Sequence, residues 1–294
     1  MPCQLGGLGS TRAAMRAFFT LLLAIVACKR PVYNDELGVT PILAKEGSLA
    51  GTFALRSINA LLVSVPILGD LEGGGDNLRL IKRTWDPATK TYLQRSQLCG
   101  GQNFPVFGVI TAAPESTYRL VPESTNEVVS VDHDTGAYLA TGHVQLWALR
   151  DLADPINDPL PKTVPEAKGD FYSHIYDMDG DGHEGFTFNI KGQGSVYVFQ
   201  RKTIDFRGVI LGPDRAIGVG TNVNETLTLS YRGSPLLDRQ TEGSSRPNPD
   251  PLRSWFDEVR IPDDSDCDTV KAASLDGRLA AEAPFEAAKK ATAG

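Results

Sequence analysis

The strongest constraint on this chain is a rhythm of short alternating runs. Apolar and polar residues alternate, turn residues follow, and the pattern resumes without a helical stretch between. "NLRLIKRTW" leads into the turn "DPAT" and returns as "KTYLQRSQLC", a hairpin with Pro after Asp at the reversal. "NEVVSVD", "HDTG" and "AYLATGHVQLWALR" repeat the arrangement. Further strands are expected in "GTFALRSINALLVSVPILG", bent near Asn59, and in residues 104–110 and 117–122. "FTFNIKG", "SVYVFQRKTIDFRGVI", "AIGVGTNV", "ETLTLSYRG" and "WFDEVRIP" complete the series. Parallel strands need long, usually helical crossovers, and this pattern has no room for them. The expected fold is therefore all-β: one antiparallel β-barrel or sandwich of roughly ten to twelve strands. A body of about 220 residues suits one domain, and closure into a barrel is favoured because it removes exposed edges.

The breaks in the rhythm set the boundaries. Residues 151–169 carry Pro155, Pro159, Pro161 and Pro165 without an apolar period, as expected of a long surface loop or flap. Residues 28–48 are expected to be a flexible tether, 49–267 the β-domain, and 268–294 an Ala-rich flexible tail. "GTFALRSI" echoes "GFTFNIKG", and "NLRLIKRT" echoes "SVYVFQRKT". Two related half-sheets, or the alternation any two hairpins share, would each produce that echo.

The N-terminal region determines the protein's address. From Met15, "MRAFFTLLLAIVACKR" places Arg16 before an apolar run at 18–26 interrupted only by Thr20. The run is shorter than the roughly 20 residues that cross a bilayer, and its order is that of a secretory signal peptide. Residues 1–14 lack that order, so Met15 is expected to be the true start. Ile25, Val26, Ala27 and Cys28 resemble the lipobox of bacterial lipoproteins. The resemblance implies cleavage before Cys28, lipidation of Cys28 and anchoring by acyl chains. With Lys29 in place of an Asp after the cysteine, it also implies the outer membrane of the cell envelope. In general pattern, the whole chain resembles β-rich envelope lipoproteins with an Asp-rich turn.

Cys99 and Cys267 remain as an even pair in an oxidising compartment. A disulfide between them would contribute about 4–5 kcal/mol by loop-closure entropy; two buried thiols are the other reading. The formal net charge of −7 argues against a nucleic-acid partner.

"IYDMDGDGHEG" places Asp177, Asp179 and Asp181 on alternate positions before Gly182. Alternating carboxylates followed by glycine match the first half of a calcium loop, which would serve as a structural cofactor site. Phe188 stands where a helix–loop–helix site has its last carboxylate, so Glu184 or a backbone carbonyl would have to complete the shell. His174 and His183 offer a transition-metal alternative, and a bare turn with Asp caps is a third.

The chain lacks a nucleophile elbow, H-E-x-x-H, P-loop or dinucleotide fingerprint. His133 between two aspartates reads as a solvated turn, and His143 beside Trp147 as a satisfied core histidine. Two classes of function remain. One is a non-catalytic, membrane-tethered domain that binds an envelope protein, a small apolar ligand or a glycan. The alternative is a glycan or ester hydrolase using Asp and Glu side chains.

Overall fold

The computed structural model describes residues 37–65, 69–106, 111–233 and 245–285. The expected signal peptide, Cys28, residues 107–110 and the last residues of the tail lie outside them.

The fold is all-β. Eight antiparallel strands close into a ring: β1 (Gly51–Val65), β2 (Gly69–Asp86), β3 (Thr91–Asn103), β5 (Ser124–Val131), β6 (Ala137–Trp147), β8 (Gly194–Ile210), β9 (Arg215–Gly233) and β11 (Trp255–Ile261). Each strand pairs with the next in that series. β11 returns to β1 with Thr52 opposite Ile261 and closes the barrel. Three short strands lie off the ring. β4 (Thr111–Ala112) pairs with β7 (Phe186–Ile190), β7 extends from β8, and β10 (Ser245–Pro247) pairs with the far half of β1. β1 and β7, whose sequences echo each other, therefore hold different places: one is a barrel stave and the other an outlying strand.

Period-2 alternation fills the lumen. Phe53, Leu55, Ile81, Tyr92, Val129, Tyr138, Ala140, Ile204, Phe206 and Phe256 form its apolar core. Gly208 and Gly218 face each other across β8 and β9. A Cβ on Gly218 would lie 2.1 Å from the Arg207 carbonyl oxygen and 2.8 Å from the Phe256 ring. Glycine here lets two strands and an aromatic ring share one space.

The barrel is also packed on its outside, which corrects both flexible ends. Leu37 and Val39 are buried with Trp255, Val219 and Phe285, and Leu49 is fully buried under the lower end of the lumen. The expected tether is thus part of the body from Leu37 onward. Helix α3 (Cys267–Leu275), numbered after the single-turn helices α1 (Glu115–Tyr118) and α2 (Val164–Ala167), begins at Asp266. The Asp266 carboxylate accepts the Asp268 and Thr269 amides as a cap. Cys267, Val270 and Ala273 of α3 press on Ala54, Leu80 and Val259. The Cys99–Cys267 disulfide holds the helix there. The expected flexible tail is therefore a packed element as far as Phe285.

Other expectations are also revised. Residues 117–122 form no strand; α1 and a turn place Tyr118 edge-on to Trp147, with ring centroids 5.4 Å apart. β9 is one long strand where two were expected. The Pro-rich segment is seated on the barrel wall: Arg201 donates to the Pro155 and Asp158 carbonyls, and Leu160 and Ala167 join an outer apolar cluster.

Candidate functional site

The Asp-rich loop lies between the outer cluster and β7. Asp177, Asp179 and Asp181 each present a carboxylate oxygen within 4.8 Å of the others, an arrangement that could hold a metal ion. The local sequence explains the convergence. Gly180 and Gly182 take positive φ angles of 73° and 88°, a conformation that strains most other residues. Their amides then turn inward onto Asp177, which accepts from Gly180 and Gly182 at 2.8 Å each. Asp181 accepts the Thr187 hydroxyl, and one Asp179 oxygen accepts the Thr187 amide at 2.8 Å. The second Asp179 oxygen, Oδ1, is buried without a hydrogen-bond partner. A buried carboxylate oxygen without a donor is costly unless a cation satisfies it. All donors in the cluster are hard oxygens, which suits a cation of the alkaline-earth kind.

Glu184 stands outside this cluster. Its carboxylate accepts the Tyr172 hydroxyl, which holds its pKa below the ordinary range. His183 stacks on Tyr197 at 4.1 Å, and His174 Nδ1 contacts the Arg150 carbonyl. Neither imidazole joins the aspartates; His183 meets them only through its backbone amide, which donates to Asp181 at 3.0 Å. Beside the loop opens a cleft of about 480 Å³, lined in part by Asp179, Asp181, Thr187, Asn189, Ser195 and Arg232.

The lumen holds a second polar system, which sequence reasoning missed. Arg83 and Glu258 form an ion pair at 2.8 Å with both side chains fully buried. Burial works against the Arg83 charge, yet Glu258 more than offsets it and holds the guanidinium pKa above its ordinary value. Gln94 joins two clusters: its carbonyl oxygen accepts from Arg83 and its amide donates to Glu127. Glu127 also accepts from Ser96 and from His143 Nδ1, the latter at 2.8 Å. Burial opposes the Glu127 charge, but His143 and these donors prevail and bring its pKa down to about 2. The His143 pKa is lowered, first by burial and then by the charges of Arg79 and Lys202, against the pull of Glu127. His143 is thus a satisfied core histidine, as expected. His133 is not merely solvated: its Nδ1 meets the Ala44 carbonyl at 2.8 Å.

Ser96, His143 and Glu127 have the residue types of a catalytic triad without its geometry. Ser96 Oγ and Glu127 Oε1 both contact the same nitrogen, His143 Nδ1, at 3.0 and 2.8 Å. A relay needs the serine on one ring nitrogen and the acid on the other. All three residues are also buried. Arg79 donates to Ser57 Oγ at 2.9 Å. With the Gln145 amide turned to accept, Arg79 reaches it through Nε and Nη2 at 3.1 Å each.

The comparisons with known proteins give no family: no family model, curated protein or solved structure matches the chain. Among the described residues, no helix is long and apolar enough to cross a membrane.

Proposed function

We propose that this chain is a lipid-anchored, non-catalytic binding domain of a bacterial cell envelope. Its Asp loop holds calcium and its ligand is a surface glycan. The observation that carries the reading is the shared wall between loop and cleft, because Asp179 and Asp181 belong to both. A cation on those carboxylates would face the cleft and could add sugar hydroxyls to its oxygen shell. Thr187, Asn189 and Ser195 supply further hydrogen-bonding groups along the same wall.

Of the three ligand classes, an apolar cargo is the least supported, since the protein's own aromatic side chains fill the apolar part of the lumen and its upper end is lined by charged and amide groups. Hydrolysis is also less supported. The two lumenal carboxylates, Glu127 and Glu258, are committed to internal partners. The anchor reading rests on the lipobox-like residues ending at Cys28 and points to the outer membrane.

Calcium should raise the melting temperature of chelator-stripped protein more than magnesium, which demands a tighter octahedral shell. At a hundred times Kd the stabilisation is about 2.7 kcal/mol. Asp179→Ala should remove that response and cost little in chelator. Equal melting with and without millimolar calcium would leave the loop a capped turn. On a glycan array, binding should require calcium and be lost in Asp179→Ala; no retained glycan in either condition removes the proposed ligand. Cys28→Ala should abolish membrane fractionation and labelling by a palmitate analogue, and unchanged labelling would remove the anchor.

A further inference from the structure

The upper end of the lumen, above the Phe206 and Phe256 rings, holds more positive than negative charge. Arg79 on β2 is only 1% exposed, and its hydrogen-bond partners are the neutral groups of Ser57 and Gln145. Lys202 on β8 shares the inward face with Ile204 and Phe206 and lies level with Gln145 on β6 and Asn224 on β9. It makes no ion pair with any described carboxylate. The charged and titratable groups facing it are Arg79 from β2, His143 from β6 and Glu127 from β5; β1 contributes the neutral Ser57 and Asn59, and β9 asparagines. With Lys202 protonated, two cations oppose one carboxylate, and protonating His143 would widen the gap.

The neutral groups at this level are also unsatisfied. Asn59 is 1% exposed, and neither its amide nitrogen nor its carbonyl oxygen has a partner. Asn222, equally enclosed, has an unpartnered Oδ1. Buried amides without partners cost free energy, and so does an excess buried charge. One guest satisfies both demands: a group with negative charge, oxygen acceptors and room for a donor.

We propose that the upper lumen binds a small oxyanion, the carboxylate or phosphoryl group of a small molecule, between Lys202 and Arg79 with Asn59 donating to it. The site is distinct from the glycan cleft, which lies outside the barrel wall, and it stands whether or not that cleft binds sugar. Lys202 is only half-buried, yet desolvation of its ammonium, together with the charge of Arg79, brings its pKa down to about 7. Binding is therefore linked to protonation: the anion takes the charged form of Lys202, and its affinity falls as pH rises through that value.

The test is calorimetric titration of the purified full chain in detergent with acetate, inorganic phosphate and sulfate. At least one anion should bind at a single site, about a hundredfold more weakly near pH 9 than near pH 6. Acetate binding alone identifies a carboxylate ligand, and phosphate binding alone a phosphoryl ligand. Lys202→Met should lose both the binding and its pH dependence, and Asn59→Leu should weaken it about tenfold. If Lys202→Met fails to fold, the pH slope of the parent protein remains an independent readout. No binding of any probe would mean that ordered water alone satisfies Asn59 and Asn222. Binding that ignores pH or survives Lys202→Met would be a non-specific salt effect. Either result overturns the proposal.

Discussion

Arg79 and Arg83 lie on the same strand, on the same face, one helical-turn's worth of residues apart, and the barrel treats them in opposite ways. Arg83, at the lower end, meets Glu258 in a fully buried pair and also bonds Gln94 and Tyr138. Leu49 and Trp85 pack beneath it and close that end. Arg79, at the upper end, has neutral hydrogen-bond partners, with Lys202 and two unsatisfied asparagines in the same space. Burying a charge is affordable in a protein when its partner is buried with it. The lower end carries its partner within the chain, and the upper end leaves that place for a guest. The contrast separates a charge that serves the fold from one that is available for recognition.

The largest test of this contrast is at the lower end. Glu258→Gln would leave the Arg83 guanidinium buried without an anion, and should cost about 3–5 kcal/mol in denaturant unfolding. A loss below about 1 kcal/mol would mean that Arg83 is compensated elsewhere.

Next is the carboxylate between the two ends. Glu127 has a folded pKa of about 2, below its ordinary unfolded value near 4.5. Its contribution is fully present above about pH 4.5 and disappears as pH falls through 2. An acid titration of stability should show a loss on the order of 3 kcal/mol that is missing in Glu127→Gln. Parallel curves for parent and variant would contradict the assignment.

Lys202 should give a smaller effect of opposite sense. Its folded pKa lies below its unfolded value, so between about pH 7 and 10.5 the unfolded chain holds the extra proton. Stability should therefore rise with pH across that window. Partial exposure limits the gain to about 1–2 kcal/mol, and Lys202→Met should flatten it. The smallest effect is at Asn59, where replacing an unsatisfied amide with Leu should be neutral or stabilising by about 1 kcal/mol without ligand. A marked loss would show that Asn59 already has a partner.

The strands were largely legible because period-2 alternation records which residues share a face. The β2–β3 hairpin, the all-β class and the convergence of Asp177, Asp179 and Asp181 follow from local pattern and composition, and the Cys99–Cys267 bridge, one of two readings of the remaining cysteines, from their even number. The charged lumen does not follow from them. "NLRLIKRTW" alternates leucines with basic residues, and ordinary patterning would turn the leucines inward. In the fold, Leu78 and Leu80 face outward onto the cluster beneath α3, while Arg79 and Arg83 enter the barrel. Alternation assigns residues to two faces without saying which is wet, and here both are covered. Glu184 was misplaced for a related reason. Its spacing fits a loop ligand, but Tyr172, twelve residues earlier, captures it through a contact that linear spacing does not encode.

The pairing of β1 with β11 also sets the order in which the molecule can be completed. Every other junction of the ring joins a stave to the next stave along the chain, directly or across one short outlying strand, so pairing can proceed as each new length of chain becomes available. The seam joins Thr52 to Ile261 and Ile58 to Trp255. Until residues 255–261 arrive, the first stave remains an unpaired edge able to template pairing with another copy. The period of greatest aggregation risk would therefore run from the first hairpin to the docking of this last stave.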